Sequence, residues 1–310
     1  MKRQSIMLGN GINRCMLSNI SWEDLLVDIA CDYGVALNTK ISFPMQFENM
    51  INQILAKESK PSDNLYTEIK MRIIDRLKGA ELSKNAPHNV LAQNADVIIT
   101  TNYDFLIEKS LDTMFSPAKV LSTAKDAGNK YNINNYVVVA DKPIFHIHGD
   151  LRQAKSICLG YEHYAGTLQH LRDTLATKKH FADDKKPAII WALENQEYTV
   201  NTWAKKFFTD DIDIVGLGLT QSEIDIWWLI TYRAFLYYSN RFGARNLIRN
   251  TITYHDISTD QDVDMEYALR NCHVQYRFHK IDKKENPYYL DAYTKIAEEL
   301  RKNRKEGASL

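Results

Sequence analysis

Short apolar runs that end in a glycine turn or a polar cluster, and then give way to helical spacing, recur along this sequence and constrain its fold more than any other feature. Ser5-Ile6-Met7-Leu8 runs into Gly9-Asn10-Gly11-Ile12-Asn13-Arg14, and Val97-Ile98-Ile99 runs into Thr100-Thr101-Asn102-Tyr103-Asp104. Pro143-Ile144-Phe145 runs into His146-Ile147-His148-Gly149-Asp150, and Asp213-Ile214-Val215 into Gly216-Leu217-Gly218. Strands alternating with helices in this way predict an α/β fold with a mainly parallel sheet. The carboxyl ends of such strands line a ligand crevice, so an amide, a carboxylate and an imidazole delivered there can converge on one substrate. The sequence therefore reads as that of an enzyme.

Composition narrows the function classes. The 310 residues suffice for a large core, and Lys plus Arg equals Asp plus Glu at 39 each, so no basic field directs the chain to nucleic acid. With 17 Tyr, 11 Phe and 5 Trp it is a folded globular protein rather than a disordered one. The four cysteines, Cys15, Cys31, Cys158 and Cys272, form no C-x-x-C pair, so no zinc ribbon is expected, and with no third ligand at a telling spacing from His146 and His148 no metal is expected either. Unpaired cysteines and an N-terminal apolar stretch too brief for a signal peptide place the chain in the cytoplasm. The most apolar segment, Ile224 to Tyr238, carries Asp225 and Arg233 and falls short of the roughly 20 residues that span a bilayer. It is expected as a buried or interface helix.

The pattern predicts helices after a capping box at Ser21-Trp22-Glu23-Asp24, over Pro44 to Ala56, and over Asn64 to Leu82. A strand over Ala95 to Thr101 leads to a helix from Phe105 to Met114 and a loop from Ser116 to Asn135. Strands at Tyr136 to Ala140 and Lys142 to His148 flank a turn at Asp141-Lys142-Pro143, with a third short strand at Ile157 to Leu159. The chain is expected to be one domain over residues 1–310, with a small helical subdomain inserted at 161–210 and interrupted by the charged run Asp183 to Pro187. A helix over Ser222 to Arg241, strands at Thr251 to Tyr254 and Val274 to Phe278, and a helix from Pro287 to Lys302 complete it.

Each motif carries a functional and a plain reading. Gly9-Asn10-Gly11 lets backbone amides approach a phosphate, or is a tight turn; Arg14 stands where a dinucleotide fingerprint has its third glycine. Asn102 and Asp104 are ligand-facing groups, or a turn former and a helix cap. His146 and His148 are half a metal site, a catalytic imidazole or core histidines. Gly216, Gly218, Ser222 and Asp225 clamp the far end of a nucleotide, or form a turn with an acid answering the helix dipole. Trp227 and Trp228 read as core or interface residues.

Taken in order, these elements resemble the sirtuin superfamily. The resemblance rests on Gly9-Asn10-Gly11-Ile12-Asn13, where sirtuins have G-A-G-I-S; on T-x-N-x-D at Thr100 to Asp104; on His148-Gly149; and on the G-x-G-x-x-x-S turn from Gly216 to Ser222. It covers about residues 5 to 225 and comes nearest to the bacterial sirtuin-like NAD hydrolases of antiphage defence, which lack the zinc module and deplete cellular NAD. The four zinc cysteines and the G-I-P-D-F-R-like loop of deacylating sirtuins are absent, so peptide deacylation is the lesser implication.

The resemblance implies a Rossmann-like sheet with helices on both faces, NAD as substrate, and hydrolysis to nicotinamide and ADP-ribose. It implies that Asn102 holds the attacking water or a ribose hydroxyl and that His148 accepts a proton. Asp104, with Thr101 beside it, supports the Asn102 loop or binds ribose. Gly9, Asn10, Gly11, Ile12, Asn13 and Arg14 surround the pyrophosphate, while Gly216, Gly218, Ser222 and Asp225 hold the adenosine end. Such an activity needs restraint, which implies a homo-oligomer or a regulatory partner of the ATPase or short Argonaute type, with no direct nucleic-acid or membrane contact. A non-catalytic sensor of NAD or ADP-ribose is the alternative, ahead of a deacylase.

Overall fold

The computed structural model describes residues 3–15, 21–57, 62–117, 131, 133–177, 186–195 and 202–308. Its strands are β1 (Gln4–Leu8), β2 (Val97–Thr100), β3 (Val137–Val139), β4 (Lys142–His146), β5 (Asp211–Val215), β6 (Ile252–Ser258) and β7 (Gln275–Lys280). They form one seven-stranded sheet in the order β3-β4-β2-β1-β5-β6-β7. Every neighbouring pair is parallel except the β3–β4 hairpin. The protein thus has the Rossmann-like α/β fold expected from its alternating pattern, and the order reverses at β1, where a crevice opens beyond the strand ends.

The helices are α1 (Trp22–Asp32), α2 (Phe43–Lys57), α3 (Leu65–Leu77), α4 (His88–Gln93), α5 (Leu106–Leu111) and α6 (Tyr161–Leu175). They continue as α7 (Ala188–Glu194), α8 (Trp203–Thr209), α9 (Ile224–Ser239), α10 (Ala244–Leu247), α11 (Val263–Asn271) and α12 (Asn286–Ala308). Successive strand residues point to opposite faces, so β1 feeds two cores. Ile6 and Leu8 pack with Leu91 of α4, Ile107 of α5 and Tyr293 and Ile296 of α12. Met7 packs on the other face with Leu171 of α6, Ile190 of α7, Phe207 of α8 and Leu229 of α9. Each such fully buried side chain contributes about 1.5–3 kcal/mol. A third cluster, from α1, α2 and α3, holds Leu26, Phe47, Ile51 and Ile69 and reaches the sheet domain through Tyr103, Ile157 and Leu159.

Several boundaries differ from the sequence expectation. Helix α3 stops at Leu77 rather than Leu82, just before Gly79, whose backbone freedom opposes helix. The hairpin turn falls at Ala140 and Asp141, both at positive φ (48° and 61°), which leaves Lys142 and Pro143 inside β4. Ile157 to Leu159 is no strand: a 3-10 turn at Ala154–Ser156 precedes it, and its apolar residues are buried under the α1–α3 cluster instead. Helices α4, α10 and α11 are additional elements, all too short for periodicity to reveal. Most of the expected loop at 116–135 and of the charged run at 183–187 lies outside the described residues. Among the described residues no helix is long and apolar enough to cross a membrane.

Candidate active site

The sheet register brings the motif-bearing strand ends into one row. Leu8 of β1 lies between Thr100 of β2 and Val215 of β5, and Thr100 lies opposite His146 of β4. The residues that follow therefore emerge side by side at the switch point, over a cleft of about 670 Å³. That volume falls within the roughly 300–1,000 Å³ usual for small-molecule sites.

The two glycine turns are fastened to each other beneath this cleft. Gly9 N–H donates to Val215 O at 3.1 Å and Gly11 N–H to Gly216 O at 2.7 Å. A Cβ on Gly9 would stand 2.6 Å from Gly216 O and from Leu217 Cα, closer than side chains tolerate. Glycine is required here for close approach of two backbones, and these two amides are engaged by protein rather than turned to a ligand. Asn10, Gly11 and Arg14 line the cleft, with Arg14 donating to the Tyr289 hydroxyl at 2.7 Å, whereas Ile12 is wholly buried in the core.

Behind the first turn lies a polar network. Asn13 Nδ2 donates to Asn10 Oδ1 at 2.7 Å and to Asp104 Oδ2 at 3.1 Å, while His88 Nε2 donates to Asn13 Oδ1 at 2.8 Å. Burial pushes the His88 imidazole down to about 4, so it is neutral. Asp104 Oδ1 accepts from Leu106 N–H at 3.0 Å, the cap of α5, and burial raises its carboxyl despite these hydrogen bonds. Asp104 thus joins α5 to the first glycine turn. Thr101 lines the cleft; Asn102 is fully buried just behind it, its Nδ2 3.5 Å from Gly9 O and its Oδ1 without a partner among the described residues. An unsatisfied buried amide oxygen beside a cleft is costly in isolation and marks a place where a ligand or water is accommodated.

The two histidines have separate carboxylate partners. His146 donates from Nδ1 to Asn102 O and from Nε2 to Glu108 Oε1, both at 2.7 Å. Burial opposes its charge, but the Glu108 carboxylate outweighs that and pushes the imidazole up to about 9. A charged His146 therefore pins the backbone of Asn102. His148 reaches the cleft, with Nε2 donating to Asp225 Oδ2 at 3.0 Å and its ring edge-on to Tyr164 at 5.2 Å. Burial again opposes its charge, and Asp225 prevails, raising the imidazole above its ordinary value. The pair thus favours the protonated form of His148 relative to a free imidazole. Gly149, at φ +92°, would place a Cβ 2.2 Å from Ser156 O, so the turn after His148 admits only glycine.

Across the cleft stand Gly216, Gly218 and Ser222, with Ser222 bonded to Thr220 through their hydroxyls at 2.7 Å. Asp225 is buried behind them as the partner of His148. Of the fourteen residues singled out in the sequence, the cleft is lined by Asn10, Gly11, Arg14, Thr101, His148, Gly216, Gly218 and Ser222. Gly9, Ile12, Asn13, Asn102, Asp104 and Asp225 support it from behind. The cleft also takes Tyr103, an unassigned position of the Thr100 to Asp104 motif, and Glu223, Tyr164, Tyr254, Asp256 and Tyr289, none of which the motifs named. Glu223 stands between Ser222 and Asp225, where an acid at a helix start reads as a dipole partner. Tyr289 belongs to a C-terminal third with no motif at all. Among the described residues no group of three or more His, Cys, Asp or Glu is arranged to hold a metal ion.

Residues 96–211 match the model of the SIR2-like domain. That stretch runs from the residue before β2 to the first residue of β5 and contains Thr101, Asn102, Asp104 and both histidines. No curated protein matches the chain.

Proposed function

We propose that this protein, similar to SIR2-like domains over the segment that carries Asn102 and His148, is an NAD glycohydrolase that yields nicotinamide and ADP-ribose. One observation carries the reading: His148, backed by the buried Asp225, lines the same cleft as Gly11 of the first glycine turn and Gly216 and Gly218 of the second. An extended dinucleotide fits across such a cleft, with its reacting ribose beside His148 and its adenosine end towards Gly218 and Ser222. The nicotinamide–ribose bond joins a cationic ring to a sugar, so its cleavage needs orientation of the sugar and water more than strong acid catalysis. Asn102, pinned by His146, offers an unpaired amide oxygen for that water or a ribose hydroxyl, and Arg14, which lines the cleft at the first turn, is a cation for a phosphate.

The role we assign is NAD depletion in the cytoplasm during antiphage defence, restrained by self-assembly or by a partner of the ATPase or short Argonaute type. The face of α9 that exposes Phe235 and Tyr238 is the contact surface we assign to it. Purified protein incubated with NAD across its assembly range is expected to release nicotinamide, and Asn102→Ala to abolish the release. No release under any assembly or partner condition, or undiminished release by Asn102→Ala, overturns the reading. One observation favours a binding-only sensor instead: Asn102 is itself wholly buried. Calorimetry that registers NAD binding with no product selects that alternative.

A further inference from the structure

Glu223 is the one carboxylate of the cleft that sits beside His148 and has an oxygen unclaimed by the protein. It precedes the first residue of α9, its backbone N–H bonded to Thr220 O at 3.1 Å, and it lines the cleft next to Ser222. Its Oε2 is buried and has no hydrogen-bond partner among the described residues. The groups within electrostatic reach are His148, Asp225 and the phenols of Tyr103, Tyr164 and Tyr254. A carboxylate that lines a ligand cleft and has a buried oxygen without a protein partner is arranged to exchange a proton.

Neither of the other two polar groups near the reacting centre is suited to accept a proton. His148 has its Nε2 engaged by Asp225 Oδ2, and Asp225, although its Oδ1 is also unpartnered among the described residues, is wholly buried and does not line the cleft. Burial, ahead of the opposing charge on His148, pushes the Glu223 carboxyl up to about 7, where it is present in both forms at neutral pH.

We infer that Glu223 is a further catalytic residue, the general base that takes a proton from the water attacking the ribose and whose negative charge stabilises the cationic sugar. This assignment rests on the glycohydrolase reading above. The C1′–N bond breaks with its electron pair passing to the nicotinamide ring, which becomes neutral. The water oxygen bonds to C1′ and one water proton passes to Glu223, from which it leaves to solvent. His148, anchored by Asp225 through Nε2, hydrogen-bonds a ribose hydroxyl and orients the sugar. The paired use of an acid and an oxocarbenium-like sugar is the general logic of glycosyl transfer to water.

The test uses the full chain and NAD. Glu223→Gln, which keeps size and shape, is expected to lower the kcat for nicotinamide release about 100- to 1,000-fold while NAD binding by calorimetry stays within about threefold. Glu223→Asp is expected to recover part of the loss. The wild-type kcat should rise with pH through a limb near 7, and this limb should vanish in Glu223→Gln. Azide, a nucleophile that needs no base, should restore turnover of Glu223→Ala with formation of an ADP-ribosyl azide. An unchanged melting temperature of Glu223→Gln separates chemistry from folding. An active wild type beside an equally active Glu223→Gln overturns this assignment alone, as does a Glu223→Gln loss that is matched by loss of NAD binding. A wild type that releases no nicotinamide overturns the glycohydrolase reading and this assignment with it.

Discussion

His146 and Gly149 lie three residues apart and illustrate two ways in which a single side chain, or its absence, holds the site. The folded pKa of His146, about 9, lies above the ordinary imidazole value of 6.5, because Glu108 is buried against it. The pair therefore contributes its full stabilisation below about pH 6.5 and loses it as pH rises through about 9. Urea denaturation should show stability falling across that window in the wild type, and the slope should be absent in His146→Gln. The same variant strands a fully buried Glu108 and should cost about 3 kcal/mol at neutral pH. For Gly149→Ala, the positive φ and the 2.2 Å approach of Ser156 O add together, and a loss of more than about 2 kcal/mol is expected. Thermal unfolding checks it, with Gly34→Ala as comparison, because Gly34 has positive φ but nothing within 4 Å of a Cβ.

Helices α1, α2 and α3 form a unit with its own apolar cluster, and its stability reaches the cleft through Tyr103. Ser21 begins that unit: its Oγ accepts from Asp24 N–H at 3.0 Å, an N-cap recognisable in the sequence because serine followed three residues on by an acid is a local signal. Ser21→Ala is expected to cost about 1 kcal/mol in a chemical melt, with little effect elsewhere. Ile69→Ala, which empties a wholly buried position between these helices, should cost about 3 kcal/mol, measured in the same way. Other elements were legible for the same reason as α1, since α2, α9 and the buried strands carry strong periodicity or unbroken apolar runs. The helices that escaped, α4, α10 and α11, are six, four and nine residues long, and their buried apolar residues belong to clusters built with distant strands and helices.

At the scale of the whole molecule, α12 closes one face of the sheet. Its Tyr289, Tyr293, Ile296 and Leu300 cover β1 and β2 residues, and Tyr289 also meets Arg14 at the cleft. A chain cut after residue 285 should therefore leave that face bare and aggregate on expression, with light scattering as the readout; a monodisperse product would contradict this account of the core. The sequence by itself determined the α/β class, the strand ends at which chemistry gathers, and the two glycine turns, because each is encoded by neighbours within a few positions. Only the tertiary structure decided what those groups do. The His148–Asp225 pair spans 77 positions and Asn13–Asp104 spans 91. The raised pKa of His148 and the unpaired oxygen of Glu223 follow from burial and charge that three-dimensional packing alone creates. Local patterns carry no record of a distance between residues so far apart, and the free energy of a charge is set by those distances.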